Sequence, residues 1–552
     1  MAPPADEAVL VAYPGGVEII ERDVVVVGGG GAGIVAACRA AASGAAVVVV
    51  SKEPIGVGDT KISTGIIARV AGPDSPAMFA GDVLRSGSGL SDPALVSVLA
   101  EGTDAAYRWL ESAGLRASRL PDGSPRTLTA PMGGHSAARS IPHPARGLDV
   151  ASALWSQADR SRLTVLDDAW CGEVVTDAGR VSGVVVYLAR EGRWLGIRAG
   201  AVILATGGLG ALYAPHSDTM RSSTGDGYAL ALRAGAALVD MEQVQFTPFG
   251  LVRPARFLGL PLGEPILAGP AGLLLDGEGN LLAEGIATWS RARVAGVAAA
   301  AISVGQGTDA GGVLLDLRES RKDAVFMARM EADFGHVLAR VRSAMGPAAA
   351  RMEVPWEVAP TAHYHMGGVV VDAWGESRIP GLFAIGQCAG GIHGANRLGS
   401  TSLPTLVVFG LRAAESAARS GYRPGGFVPE PLPCAGPPKT HALTQRLNAG
   451  AWRGLGPARS AVGIAAVLAD IGEIRAQIAG VGERRSRRWD VGLMQRMELE
   501  SLLAVAEAVG RSALARSASL GAHFRLDSTG TGGPPPIRVQ RIAGAVVVDR
   551  VV

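Results

Sequence analysis

Three glycines, Gly28, Gly30 and Gly33, stand in GxGxxG spacing between the run Asp23-Val-Val-Val-Val27 and an alanine-rich stretch that reaches Ser43. In this spacing the first glycine permits a tight turn, the second lets backbone approach a pyrophosphate, and the third lets a helix pack closely on a strand. The helix N-terminus then holds the phosphate charge. Ordinary glycine-rich loops can share the pattern, but here it follows a strand and opens a helix, the context a dinucleotide site requires. A nicotinamide dinucleotide site would place Asp or Glu at the end of the second strand to bind the ribose. This chain has Ser51-Lys52 there, with Glu53 one step late.

The elements that must position this turn are legible around it. Asp23–Val27 and Ala45-Ala-Val-Val-Val-Val-Ser51 are continuous apolar runs, as strands of a parallel sheet are, so a βαβ unit is predicted. Leu163 to Gly208 reads as successive strands with turns at Asp177-Ala-Gly179 and Arg190-Glu-Gly192, ending in the buried strand Ala201-Val-Ile-Leu-Ala-Thr-Gly-Gly208. Residues 241–350 alternate strands, Gly/Pro turns and helices and read as an inserted domain. Nucleotide-fold character returns at Ile379–Gln387. The divisions expected are an N-terminal tail (1–20), a nucleotide-binding domain in two parts (21–240 and 351–428), the insert (241–350), a Pro-rich linker (Pro429 to Pro438) with a helical domain (429–527 in all), and a C-terminal tail (528–552). The strongest helix of the helical domain, Met497 to Ser517, carries apolar residues at helical spacing.

Composition narrows the function. At 552 residues the chain holds about three or four cooperating units, and with 48% hydrophobic residues it can bury a sizeable core. Lys+Arg 52 against Asp+Glu 50 leaves no basic footprint of a nucleic-acid binder. Cys38, Cys171, Cys388 and Cys434 are scattered without a CxxC pair, which argues against metal, iron–sulfur and c-type haem sites and fits a reducing compartment. Met1 to Arg22 has acidic residues and no apolar core, unlike a secretory signal. The apolar stretch Val294–Val304 is too short to span a bilayer, so no stable membrane insertion is expected. A cytoplasmic, bacterial protein is the expectation.

Several longer segments carry a resemblance. Thr224-Gly-Asp-Gly227 with Ala229–Gly235 and Met241-Glu-Gln-Val-Gln-Phe246, Pro360-Thr-Ala-His-Tyr-His-Met-Gly-Gly368, His393-Gly-Ala-Asn-Arg-Leu-Gly-Ser-Thr-Ser-Leu403 and Val505 to Phe524 occur in consistent order. Together they resemble the flavoprotein family of succinate dehydrogenase, fumarate reductase and L-aspartate oxidase, over residues 20 to 527. The resemblance implies an α/β fold: a Rossmann-like FAD-binding domain, an inserted α+β capping domain and a C-terminal helical domain. It places FAD on Gly28, Gly29, Gly30, Gly31, Ala32, Gly33, Ser51, Lys52, Asp59, Thr60, Ser63, Gly65, Ile66, Thr206, Gly207, Asp226, Gln387, Ser402 and Leu403. Gln387 stands where the family usually has Glu. Asp59 stands where covalently flavinylated members have His, so the FAD is expected to be non-covalent.

The resemblance also implies hydride transfer between the flavin and a carbon of the substrate, with an Arg moving the accompanying proton. Arg291 aligns with that Arg, though the neighbouring family Asp is Ala292 and a second family Arg is Gly296; Arg293 is a possible substitute. His363 and Arg397 match the residues that hold a substrate carboxylate. His365, in place of a family Thr, is either a proton donor or a larger wall residue. At the other end Thr247-Pro-Phe-Gly250 replaces the family HPTG, and Ile266–Gly272 lacks the Thr, Glu and Arg of a TEGxRGEGG stretch. With Thr247 and Phe249 at that end, and Leu267 and Ala268 beside them, a second carboxylate would be buried with few partners. The expectation is an enzyme making or reducing a C=C bond beside a carboxylate-like group, on a small-molecule substrate less polar than succinate or fumarate. An L-aspartate-oxidase-like amino acid oxidase, a subunit working with a separate iron–sulfur electron-transfer partner, and a flavin binder without catalysis remain open.

Overall fold

The computed structural model describes residues 18–158, 163–419, 421–428, 439–479, 487–528, 530, 535–542 and 545–550. The predicted Pro-rich linker and most of the N-terminal tail lie outside the described residues.

The central layer is a seven-stranded sheet built on the predicted βαβ unit. Strand β1 (Glu18–Val27) leads through helix α1 (Gly31–Ala42) to β2 (Val47–Ser51), which lies parallel to it with Val24 opposite Val47. The valines of both strands are almost wholly buried, which is why neither run alternates with polar residues. On its other side β1 pairs in parallel with Arg193–Leu204, which in turn carries Leu382–Ala384 at its end and the antiparallel strands Arg180–Leu188 and Ala169–Asp177 beyond it. The hairpin between those last two turns on Ala178 (φ 48) and Gly179 (φ +77), the positive backbone angles a tight hairpin turn needs.

A second layer, a six-stranded sheet, sits over the cleft. Its strands include β3 (Val244–Leu251), Leu273–Leu275 and Val313–Asp316, and helices α2 (Arg291–Ser303) and α3 (Ala324–Met345) pack with it. Strand β4 (Trp356–His365) completes it, antiparallel to β3. Trp356 and Val358 belong to the core of this layer, so the chain leaves the cap through β4, past the expected break after residue 350. Helices Thr440–Leu455, Ala461–Ile478 and Val491–Ala515 form the third unit and add Leu447, Ile471 and Val509 to the main core. Arg516 ties this unit to the body, pairing with Glu242 (2.6 Å) and Asp240 (3.3 Å). Among the described residues no helix is long and apolar enough to cross a membrane.

Candidate active site

One continuous cleft, ≈ 310 Å³ in volume, runs from the βαβ turn to the underside of the cap. At the turn, a Cβ on Gly28 would lie 2.3 Å from the Ala205 carbonyl oxygen, whereas one on Gly30 would meet nothing within 4 Å. Gly30 thus faces the cleft at the start of α1. No side chain caps that helix and no acidic residue stands in its first turn, so its N–H groups present unneutralised positive charge to the cleft. A pyrophosphate fits this cradle.

Of the expected FAD contacts, Gly28 to Ala32, Ser51, Lys52, Asp59, Thr60, Ser63, Ile66, Thr206, Gly207, Asp226, Gln387, Ser402 and Leu403 line the cleft. Two do not. A Cβ on Gly33 would sit 1.8 Å from the Gly28 carbonyl oxygen, so Gly33 serves helix–strand packing alone. Gly65 (φ +66) packs on the Arg146 backbone and accepts a hydrogen bond from His143 Nδ1 (2.6 Å), so it shapes the loop from behind. Lys52 is held by Asp226 (2.9 Å) and Glu498 (3.0 Å). Burial opposes its charge, but the two carboxylates outweigh that and raise its pKa. The Asp59 carboxylate accepts from Met220 N–H (2.7 Å) and Ser223 Oγ (3.2 Å), and burial pushes its pKa up to about 6.

At the cap end, the β3–β4 pairing slips. Tyr364 pairs with Gln245 and Ala362 with Phe246, which leaves His363 as an extra residue in a β-bulge. Both His363 and Tyr364 therefore reach the cleft. His365 is turned away from it: Nε2 donates to the Met241 carbonyl (3.0 Å) and the ring meets Tyr228 edge-on at 5.2 Å. His365 is a buried residue behind the site, which corrects its expected place among the catalytic groups. Burial lowers its pKa to about 4, so it is neutral near pH 7.

His363 links two charges. Its Nδ1 is 2.8 Å from Asp218 and its Nε2 is 2.9 Å from Arg397 Nη2. A guanidinium only donates, so Nε2 accepts and the ring proton sits on Nδ1, facing the carboxylate. Burial lowers the His363 pKa, Asp218 opposes that and Arg397 adds to it. Arg397 lies over the Tyr364 ring (4.6 Å to the centroid), donates to the Leu398 carbonyl (2.9 Å), and keeps a buried Nε without a partner. Burial brings its pKa down to about 10.

Arg291 opens α2, whose N-terminus Ser290 caps by accepting from Arg293 N–H (3.3 Å). That start aims Arg291 into the cleft. Its Nη1 donates to Gln245 Oε1 (2.7 Å), while Nε and Nη2 grip the Glu264 carboxylate in a bidentate pair. Gln245 in turn donates to the Arg397 carbonyl (2.9 Å), tying the two arginines into one constellation. Burial, then the charge of Arg397, pulls the Arg291 pKa down, with Asp218 opposing. Arg293 is no substitute: it is exposed and stacks on Trp289 at 3.5 Å.

The expected apolar wall is corrected. Thr247 lines the cleft, but Phe249 of β3 and Leu267 and Ala268 of the single turn Pro265–Ala268 are buried in the cap core. That end of the cleft is lined instead by Pro261, Leu262, Glu264, His336 and Arg340. The carboxylate missing from Ile266–Gly272 is supplied by Glu264, just N-terminal to it. Gln245 and Tyr364 lay inside recognised motifs; Asp218, His336 and Arg340 carried no local signal at all.

Comparisons with known proteins bear on the family and the fold. Residues 23–403 match the FAD binding domain family and residues 444–532 the fumarate reductase flavoprotein C-terminal family. The chain is 32% identical to a fumarate reductase (CoM/CoB) subunit of Methanothermobacter marburgensis, covering 82% of this chain and 84% of that one. It is 34% identical to L-aspartate oxidase of Caulobacter vibrioides, with 85% of each covered. Among solved structures, FrdA of E. coli quinol fumarate reductase superposes with a TM-score of 0.83 at 28% identity, over 96% of both chains. Sdh1 of Mycobacterium smegmatis gives 0.83 at 28%, over 97% of this chain and 94% of that one. Fold and site define an FAD-dependent oxidoreductase with FAD-binding, capping and C-terminal helical domains. The chain belongs to the fumarate reductase/succinate dehydrogenase/L-aspartate oxidase flavoprotein family.

Proposed function

We propose that this enzyme makes or reduces a C=C bond next to a carboxylate or similar anion. The observation that supports this reading is the facing of two guanidinium groups, Arg397 with His363 and Arg291 with Glu264, across one cleft that continues into the dinucleotide cradle. FAD, when bound, supplies or accepts the hydride. Arg397, which lines the cleft, holds the carboxylate, and the fork geometry of a guanidinium fixes its plane, while His363 orients that guanidinium through Nε2. Asp218 keeps His363 in the tautomer that accepts from Arg397. Arg291 gives a proton to the carbon that does not receive the hydride, or takes one in the reverse direction. Glu264 holds Arg291 in position and is the nearest carboxylate to exchange that proton.

In the reducing direction a hydride and a proton add across the C=C bond, and the two electrons come from the reduced cofactor. Anaerobic reduction of the holoenzyme followed by addition of unsaturated acids tests this: reoxidation read by absorbance, lost in Arg291→Gln, is the expected result. A cofactor that no unsaturated acid reoxidises, yet that oxygen reoxidises with peroxide formed on adding amino acids, would replace it by the amino acid oxidase reading. The likeness to L-aspartate oxidase favours that second reading. A separate electron-transfer partner, suggested by the likeness to a protein named as one subunit of a reductase, is compatible with either.

A further inference from the structure

The cleft has a wall that no reaction step uses. Besides the glycine turn and the cap groups, it is lined by Trp170 and by Met497, Glu500 and Ser501. The last three stand on helix α4 (Val491–Ala515) of the third unit, well beyond residue 403, where the match to the FAD binding domain family ends. Asp490 starts this helix by accepting from Leu493 N–H (3.0 Å), and residues 497, 500 and 501 then share one face at helical spacing.

Lys52, at the end of β2, joins the wall to the nucleotide cradle. Its ammonium has three donors, and they go to Thr224 Oγ1 (2.7 Å), Asp226 (2.9 Å) and Glu498 Oε1 (3.0 Å). None is left for a phosphate. The same Glu498 oxygen accepts from Trp170 Nε1 (3.3 Å). Thr224 donates in turn to Asp226 Oδ1 (2.9 Å), and Ser501 adds a further side-chain hydrogen bond to Asp226.

A dinucleotide whose pyrophosphate lies at the start of α1 sets its adenosine ribose by the end of the second strand, where an acid accepts from a hydroxyl. Strand β2 has no acid of its own there, and Lys52 brings Asp226, which lines the cleft, to that end. One ammonium between two carboxylates leaves a net negative charge, which suits hydroxyl donors and not a phosphate. Trp170 and Met497 add apolar surface of the kind on which a purine packs.

We infer that the C-terminal helical unit is a working part of the cofactor site. Glu498 and Ser501 are positioning residues that hold Lys52, Trp170 and Asp226 in the shape the adenosine half of FAD requires. Because Glu498 and Ser501 belong to the helical unit and the groups they hold belong to the FAD-binding domain, bound FAD fastens the two units together.

The test uses the full-length chain freed of flavin, titrated with FAD by quenching of flavin fluorescence and with ADP by competition against FAD. Glu498→Ala and Ser501→Ala should each weaken FAD about tenfold and ADP by the same factor, since the contacts lie in the half the two ligands share. Glu498→Gln, which keeps an acceptor for Lys52 and Trp170, should retain part of the affinity. In the unaltered protein FAD and ADP should both slow amide hydrogen exchange across Val491–Ser501. ADP that fails to compete, or FAD weakened with ADP unchanged, would overturn the assignment to the adenosine half. A lower melting temperature with both affinities unaltered would make Glu498 and Ser501 struts of the fold alone, and exchange in α4 indifferent to FAD would sink the fastening of the two units.

Discussion

His363 presents its Nδ1 to Asp218 at 2.8 Å while its Nε2 takes a hydrogen bond from Arg397 at 2.9 Å. The carboxylate thus decides how the imidazole meets the arginine, although Asp218 lies far away in sequence. Replacing it with Asn, whose amide can turn either its oxygen or its nitrogen to the ring, removes that decision. Asp218→Asn should raise KM for the acid about tenfold, with a smaller fall in kcat. Asp218 also raises the His363 pKa against burial, so a His363-dependent limb of the pH–rate profile should move to lower pH in the variant. An unmoved limb and an unchanged KM would show that the contact does not position the ring.

Arg291 and Glu264 should behave as a unit. Arg291→Gln is expected to cut turnover by about 10² to 10⁴ while the flavin stays bound and dithionite still reduces it. Glu264→Gln keeps an acceptor but removes the charge, so a loss of about tenfold or more is expected. Rapid-mixing kinetics of the reoxidation step check both; full-rate reoxidation in Arg291→Gln would move the proton donor elsewhere.

Phe249 is wholly buried in the cap core. Phe249→Ala should cost about 3–5 kcal/mol of stability in that layer, measured by chemical denaturation, with the preference among acids unchanged. A shift in preference without loss of stability would return Phe249 to the substrate wall.

The family resemblance sets Asp59, which lines the cleft, at the position of the flavin-linking histidine, and a carboxylate cannot make that histidyl link. Acid precipitation of the protein should leave the FAD in the supernatant, as absorbance will show. A yellow pellet would reveal another covalent attachment.

Asp240 and Glu242 lie buried together against Arg516. Burial, and after it the charge of Glu242, pushes the Asp240 pKa up to about 8, with Arg516 opposing. The folded protein therefore keeps a proton that the unfolded chain releases, and stability falls as pH rises from the ordinary carboxyl value of 3.8 through that raised pKa. Asp240→Asn should flatten this slope. Denaturant midpoints between about pH 5 and 8 test it, and an identical slope in the variant would assign the effect to another group.

What the sequence determined by itself was the part of the protein whose geometry is local. The glycine turn, its two buried strands and the helix between them depend on backbone angles and packing within some thirty residues, roughly one βαβ unit. Gly28 and Gly33 are therefore explicable from their spacing, and the long motifs placed His363, Arg291 and Arg397 in one family site. Tertiary structure decided which neighbours meet them. A single extra residue in β4 brings His363 and Tyr364 to the cleft and turns His365 into the core, because a register shift of one reverses the face a side chain uses. Phe249, two residues from Thr247, would share its face in a regular strand; the irregular pairing between Thr247 and Gly250 breaks that alternation, and Phe249 is lost to the cap core. Glu264, Asp218, His336 and Arg340 reach the cleft from separate elements, brought together by packing of the cap over the sheet. No spacing along the chain encodes such convergence, since it is set by long-range burial rather than by the residues on either side.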